Sequence, residues 1–177
     1  LSEGYESLQE NVLKFLEKNK NTRLAYNPGS LQLKNLDLVK KVIPHTDILI
    51  VNLEEAQEIT AEKNINALIK KLFTLGSKEV VVTNGGEGAW AGDANGVWHM
   101  ASFPVEVITK TGAGDAFSSG YLAARIYGHG INTALSWGIA NSCAAISSTG
   151  PKKNLLNKKE VAEAISKFSS VTPTPVK

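Results

Sequence analysis

Hydrophobic positions along the chain follow two periods, helical stripes alternating with short runs of β-branched residues. Leu8, Val12, Leu13, Phe15 and Leu16 recur at helical spacing and stop at Asn19-Lys20-Asn21, which predicts a surface helix with one buried face. Leu24-Ala25-Tyr26 reads as a short strand that ends in the loop Asn27-Pro28-Gly29-Ser30. Residues 47–51 and 79–83 are apolar without alternation, as expected of strands buried on both faces. Between them, residues 53–60 and 65–75 carry helical patterns, the second stopped by Gly76. That order of strand, helix and strand predicts a parallel sheet with crossover helices.

The texture changes from Gly88 to Met100, where apolar segments flank Asp93-Ala94-Asn95 and predict an antiparallel hairpin at a sheet edge. Trp90 and Trp98 are expected to pack across its strands. Residues 105–108 read as a further strand running into Thr111-Gly112-Ala113-Gly114, followed by a helix over 115–127 that Gly128-His129-Gly130 breaks. A small-residue helix over 132–148 is expected to pack closely and to end at Gly150-Pro151. An amphipathic helix over 159–168 comes last, and residues 169–177 have the composition of a frayed tail. The fold class is α/β, a three-layer sandwich with a mainly parallel sheet.

Composition narrows the partners. With 177 residues, 42% hydrophobic and 20% charged, the chain can bury one sizeable core, so residues 1–168 are expected to form one α/β domain. A net charge of +2 exerts little pull on nucleic acid or membrane, so an anionic ligand must be held by a local site. The partner is expected to be a small molecule. Cys143 is the single cysteine and lies in an apolar run, which predicts a buried structural thiol and suits a reducing compartment. No apolar run is long enough to span a bilayer, so the reading is cytoplasmic. The chain starts at Leu1 rather than Met, as a processed or partial chain would.

The chemistry concentrates at Thr111-Gly112-Ala113-Gly114-Asp115-Ala116-Phe117. A turn of very small residues lets backbone N–H groups converge on an anion, and the helix that follows adds a favourable dipole. Asp115 would repel a phosphate unless it faces an attacking hydroxyl, whose proton it could accept. A dinucleotide fingerprint fails because Phe117 stands where its third glycine belongs, and a P-loop fails because no glycine precedes a lysine. On composition alone, Asp115 could equally be a helix cap above a tight turn.

The same seven residues resemble the C-terminal signature of the ribokinase-like (PfkB-type) carbohydrate kinases. That resemblance implies ATP-dependent transfer of a γ-phosphate to a sugar or polyol hydroxyl, with Mg²⁺. It makes Asp115 the catalytic base and Gly112, Ala113 and Gly114 the anion hole. Asn52-Leu53-Glu54-Glu55 is similar to the family's Asn-x-x-Glu element, which implies that Asn52 and Glu55 place Mg²⁺ and phosphate through water. Thr83-Asn84-Gly85-Gly86-Glu87-Gly88 resembles its nucleotide loop, assigning Thr83, Gly85 and Gly88 to ATP, and Asn141 sits where the family places an asparagine beside adenine. Read without the resemblance, Asn52 and Glu55 form a capping box, Thr83 to Gly88 a turn, and Asn141 an ordinary helix residue.

The resemblance covers only the C-terminal part of the family's domain; no counterpart of its lid, Gly-Gly substrate motif or hydroxyl-binding residues precedes Asn27. A companion N-terminal segment or a homodimer is therefore open, as is a non-catalytic nucleotide-binding remnant of the fold or a nucleoside or vitamin-precursor kinase. Where many members carry an acidic residue for a monovalent cation this chain has Thr109 followed by Lys110, which leaves potassium activation doubtful. His45, His99 and His129 lack metal-ligand spacing and read as structural or surface residues.

Overall fold

In the computed structural model, which describes residues 2–147 and 155–176, the chain divides into two compact units, Leu1–Val82 and Thr83–Lys177. The N-terminal stripe forms α1 (Ser2–Lys18), and Asn19 stops it by donating its side-chain amide to the Phe15 carbonyl at 2.8 Å. β1 (Ala25–Tyr26) pairs in parallel with β2 (Ile48–Asn52), Ala25 opposite Ile48 and Tyr26 opposite Leu49. β3 (Glu79–Thr83) follows β2 in the sheet, and its Glu79 N–H donates to the Asp47 carbonyl at 3.0 Å. Leu49, Val51, Val80 and Val82 are wholly buried, as their unbroken apolar runs require.

Three elements in this unit were not anticipated: α2 (Ser30–Leu33), α3 (Leu36–Val42) and a 3₁₀ turn (Ile43–His45). The signal was present in Asn35, whose side chain caps α3 by accepting from the Leu38 N–H, and in the buried pair Val39 and Val42 at helical spacing. The loop Asn27-Pro28-Gly29 delivers the chain to α2, with Pro28 buried. α4 (Leu53–Thr60) and α5 (Ile65–Thr74) match the sequence patterns, and Asn64 caps α5.

In the second unit β4 (Ala89–Asp93) and β5 (Gly96–Met100) form the expected antiparallel hairpin. Trp90 lies opposite His99, their ring centroids 4.4 Å apart, and Trp98 lies opposite Ala91, so both tryptophans face partners across the strands as expected. Two expectations are corrected here. The hairpin is not the outermost element, because the segment expected to fray supplies β6 (Thr174–Pro175), which pairs antiparallel with β5 and is extended by the Val176 N–H donating to the Val97 carbonyl. Pro175 fits there because a two-residue outer strand tolerates a missing donor. Residues 105–108 form no strand; the N–H groups of Ile108 and Thr109 both go to the Ile146 carbonyl, and a helix end takes the place of a neighbouring strand.

Three helices complete the unit: α6 (Ala113–Ile126), α7 (Ile131–Ile146) and α8 (Lys158–Lys167), the last opened by an Asn157–Glu160 capping box. The Gly150-Pro151 stop expected after α7 lies outside the described residues. A side chain on Gly120 of α6 would place its Cβ 2.7 Å from the Trp137 carbonyl oxygen of α7, so the helix pair is as close as its backbones allow. Phe117 and Tyr121 of α6 and Leu135, Ile139 and Cys143 of α7 are buried. Among the described residues no helix is long and apolar enough to cross a membrane.

Candidate active site

Thr111 and Gly112 carry the chain into α6 by a bend that only glycine adopts without strain, Gly112 having φ 81° and ψ 2°. The bend makes Gly112 the N-cap, so Asp115 occupies the third helical position and is not the capping residue. The first turn closes when the Ala116 N–H donates to the Gly112 carbonyl at 2.9 Å, while the Ala113 N–H makes a long 3.4 Å contact with the Lys110 carbonyl. Among the described residues, the N–H groups of Gly112, Gly114 and Asp115 have no acceptor. A Cβ on Gly114 would meet nothing within 4 Å, so that part of the turn opens onto free space. A 14-residue helix therefore presents the donors of Gly112, Gly114 and Asp115, unpartnered among the described residues, and the positive end of its dipole.

The Asp115 carboxylate shares this turn. It is exposed, and among the described residues it has no ion-pair partner and accepts no hydrogen bond. A carboxylate left free beside a donor-rich turn can take a proton from a hydroxyl while the amides hold the adjacent anion. Lys110 and Thr109 stand just upstream, Lys110 exposed and Thr109 accepting the Thr111 N–H on its hydroxyl at 3.2 Å.

Asn141 is brought to the same helix from α7. Its amide donates to the Ala116 carbonyl at 2.7 Å and the Ser119 hydroxyl at 3.1 Å, while its oxygen accepts the Leu156 N–H at 2.9 Å. Both amide hydrogens are thus used within the chain, and the residue is 5% exposed. Asn141 ties α7 to the first two turns of α6 and lines a cavity of about 270 Å³ with Ser119, Gly120, Ala123, Tyr127 and Trp137. Sequence reasoning did not find this cavity; its signal is the stripe Ser119, Ala123, Tyr127 at i, i+4, i+8, with small residues where a core helix would carry large ones.

The loop after β3 is a 3₁₀ turn (Gly85–Glu87) closed by the Asn84 N–H donating to the Gly88 carbonyl at 2.8 Å and by the Asn84 amide on Glu87 at 2.7 Å. Thr83 is half-buried at its start and Gly85 is exposed at its crest. Gly88 has a packing reason of its own: at φ 93°, a Cβ there would lie 2.0 Å from the Met100 carbonyl oxygen.

In the first unit, Asn52 and Glu55 form a reciprocal capping box at the carboxyl end of β2: the Glu55 N–H donates to Asn52 at 2.8 Å, and the Asn52 N–H donates to Glu55 Oε2 at 2.9 Å. Burial pushes the Glu55 carboxyl up, the Glu54 and Glu58 charges push the same way, and the Asn52 N–H pulls it down only in part. One Glu55 oxygen remains able to accept from a metal-bound water, which fits an ion such as Mg²⁺ that keeps several waters of its own. Among the described residues no group of three or more His, Cys, Asp and Glu could hold a metal ion directly.

Residues 6–158 match the pfkB family of carbohydrate kinases. The chain belongs to that family. Its relatives include the cytidine kinase of Thermococcus kodakarensis, 31% identical over 64% of this chain and 43% of that protein. Another is the 5-dehydro-2-deoxygluconokinase of Halalkalibacterium halodurans, 30% identical over 84% of this chain and 47% of the relative. Among solved structures, an Escherichia coli protein assigned as a ribokinase II superposes with a TM-score of 0.80 at 26% identity, over 90% of this chain and 54% of that one. A second structure, of an E. coli protein assigned as a ribokinase II and in complex with ATP and Mg²⁺, gives 0.77 at 27% identity, over 85% and 50%. This pfkB chain therefore has the α/β ribokinase fold, with a mixed, mostly parallel open sheet, and spans about half the length of the proteins it matches.

Proposed function

We propose that this pfkB chain carries the phosphate-handling and proton-accepting part of an ATP-dependent kinase whose acceptor is a hydroxyl of a sugar or related small polyol. The observation that carries the reading is the first turn of α6, where, among the described residues, the unpartnered N–H groups of Gly112, Gly114 and Asp115 and the exposed, unpaired Asp115 carboxylate occur together. As the acceptor oxygen attacks the γ-phosphorus, its proton passes to Asp115. The N–H groups of Gly112, Ala113 and Gly114 hold the charge that grows on the phosphate oxygens, aided by the helix dipole. When bound, Mg²⁺ supplies charge neutralisation at the phosphates, and Asn52 and Glu55 are the residues that would hold it through water.

Thr83, Gly85 and Gly88 are proposed to shape the nucleotide loop, Gly88 by packing its entry to β4 against Met100 and Gly85 by leaving its crest bare. Asn141 is proposed to act near the adenine by fixing the wall made with Ala116 and Ser119, since its own amide is already bonded. The relatives' acceptors, as their names give them, range from cytidine to fructoselysine, so family membership leaves the acceptor to experiment. ADP release from Mg·ATP with a panel of sugars, polyols and nucleosides tests the reading. Acceptor-dependent release that vanishes in Asp115→Asn supports it, and acceptor-dependent release that Asp115→Asn leaves unchanged refutes it.

A further inference from the structure

The first unit has a second chemically distinctive place, away from the carboxyl end of β2 where Asn52 and Glu55 stand. A cavity of about 260 Å³ opens at the amino ends of the strands, lined by Leu16, Lys20, Asn21, Thr22, Arg23, His45, Asp47 and Lys78. Asp47 immediately precedes β2 and Asn52 ends it; five residues of strand at ~3.3 Å each put roughly 16 Å between the two. The two ends of β2 thus face separate chemistry.

Charge is concentrated there against an otherwise neutral background. Residues 1–82 carry 11 Lys and Arg against 11 Asp and Glu, yet the cavity wall holds Lys20, Arg23 and Lys78 against the single carboxylate of Asp47 among the described residues. The excess is +2 before His45 is counted. The wall is also ordered on one side: Asp47 Oδ2 accepts the Leu24 N–H at 2.8 Å, and Asp47 Oδ1 accepts from Lys78 Nζ at 2.8 Å, which holds the largely exposed Lys78 side chain at the cavity rim. Lys20 and Arg23 make no ion pair within 4 Å among the described residues, so their charges remain available. Three cations from two separate chain segments, Lys20 and Arg23 from one and Lys78 from the other, meet at one concavity, an arrangement suited to a compact dianion with several oxygens to share.

We infer that this cavity is a binding site for a small phosphate-bearing molecule, held by Lys20, Arg23 and Lys78 at the end of the sheet opposite Asn52 and Glu55. Asp47 sets its strength by competing for Lys78. The site is independent of the kinase reading, since no residue of the α6 turn takes part in it.

The test is a titration of amide NMR shifts of the chain with inorganic phosphate and, separately, glycerol 3-phosphate, each at ionic strength held constant with sodium chloride. Saturable shifts centred on residues 20–24, 45–48 and 77–79 are expected, and the ratio of the two affinities tells whether the ester contributes beyond the phosphate group. Arg23→Gln should weaken binding about tenfold through loss of charge-assisted bonds, whereas Asp47→Asn, which keeps an acceptor for Leu24, should tighten it. Shifts that follow ionic strength without saturating, an unchanged affinity in Arg23→Gln, or weaker binding in Asp47→Asn would each overturn the site.

Discussion

Placing one methyl group between α6 and α7 probes how the candidate site is held. In Gly120→Ala the new Cβ would lie 2.7 Å from the Trp137 carbonyl oxygen, 3.0 Å from Asn141 Cβ and 3.1 Å from the Trp137 carbonyl carbon. Two of these neighbours are helix backbone and cannot rotate away, so α6 and α7 must separate. Overpacking of this kind costs about 1–3 kcal/mol, and the better helix propensity of alanine returns at most about 1 kcal/mol. Taking about 2 kcal/mol for the first and about 1 kcal/mol for the second, the net loss is about 1 kcal/mol, a fall in Tm of roughly 2–4 °C for a chain of this size. Because Asn141 bonds Ala116 and Ser119, the separation also loosens the first turns of α6, and affinity for ATP should fall with stability. Gly4→Ala in α1 is the control, since a Cβ there meets nothing within 4 Å and no loss is expected. Thermal unfolding followed by circular dichroism decides the matter: a Gly120→Ala Tm equal to or above the parent's would refute the packing argument.

Further expectations concern the caps, the thiol and the acid limb. Asn52→Ala removes the cap of α4 and should lower stability by about 1 kcal/mol, read as a shift in urea midpoint. Cys143 is 3% exposed, its thiol pushed up by burial against the smaller opposing effects of Ser102 and the Phe103 backbone, so folded protein should react with iodoacetamide far more slowly than urea-unfolded protein. Burial acts to raise Asp47, but the Lys78 hydrogen bond, the Leu24 N–H and the charges of Lys78 and Arg23 outweigh it and hold the carboxyl below its ordinary 3.8. A depressed carboxylate stabilises the fold above that value, and the contribution is lost as pH falls through the lower folded value. Asp47→Asn should therefore flatten the dependence of the urea midpoint on pH below 3.8. Glu55, raised by burial, has the opposite sign: its stability is present below the ordinary 4.5 and is lost as pH rises through the folded value.

Much of the fold was legible because local signals and burial agreed. The runs 47–51 and 79–83 became β2 and β3, and Leu53–Thr60 became α4 with no change of bounds. Where the sequence misled, a long-range partner decided. The apolar Val105 to Ile108 was drawn to the Ile146 carbonyl, and a Pro-rich tail found an open strand in β5. Neither partner can be seen in the segment itself. At the candidate site, the small residues of 112–114 announced the bend, whereas the placement of Asp115 within the helix depended on Gly112 taking the cap. The bonds of Asn141 involve residues 15 to 25 positions away, beyond the reach of any local pattern.

The proposed chemistry rests on the Asp115 carboxylate and the amides of Gly112, Gly114 and Asp115, all without partners among the described residues. Mg·ATP affinity, by calorimetry, and acceptor-dependent ADP release, measured together on the parent and on Asp115→Asn, test this most directly. Loss of turnover by at least about 100-fold, the lower end of what a general base contributes, with ATP affinity unchanged or slightly increased, is the predicted result. Turnover in Asp115→Asn close to that of the parent would contradict it.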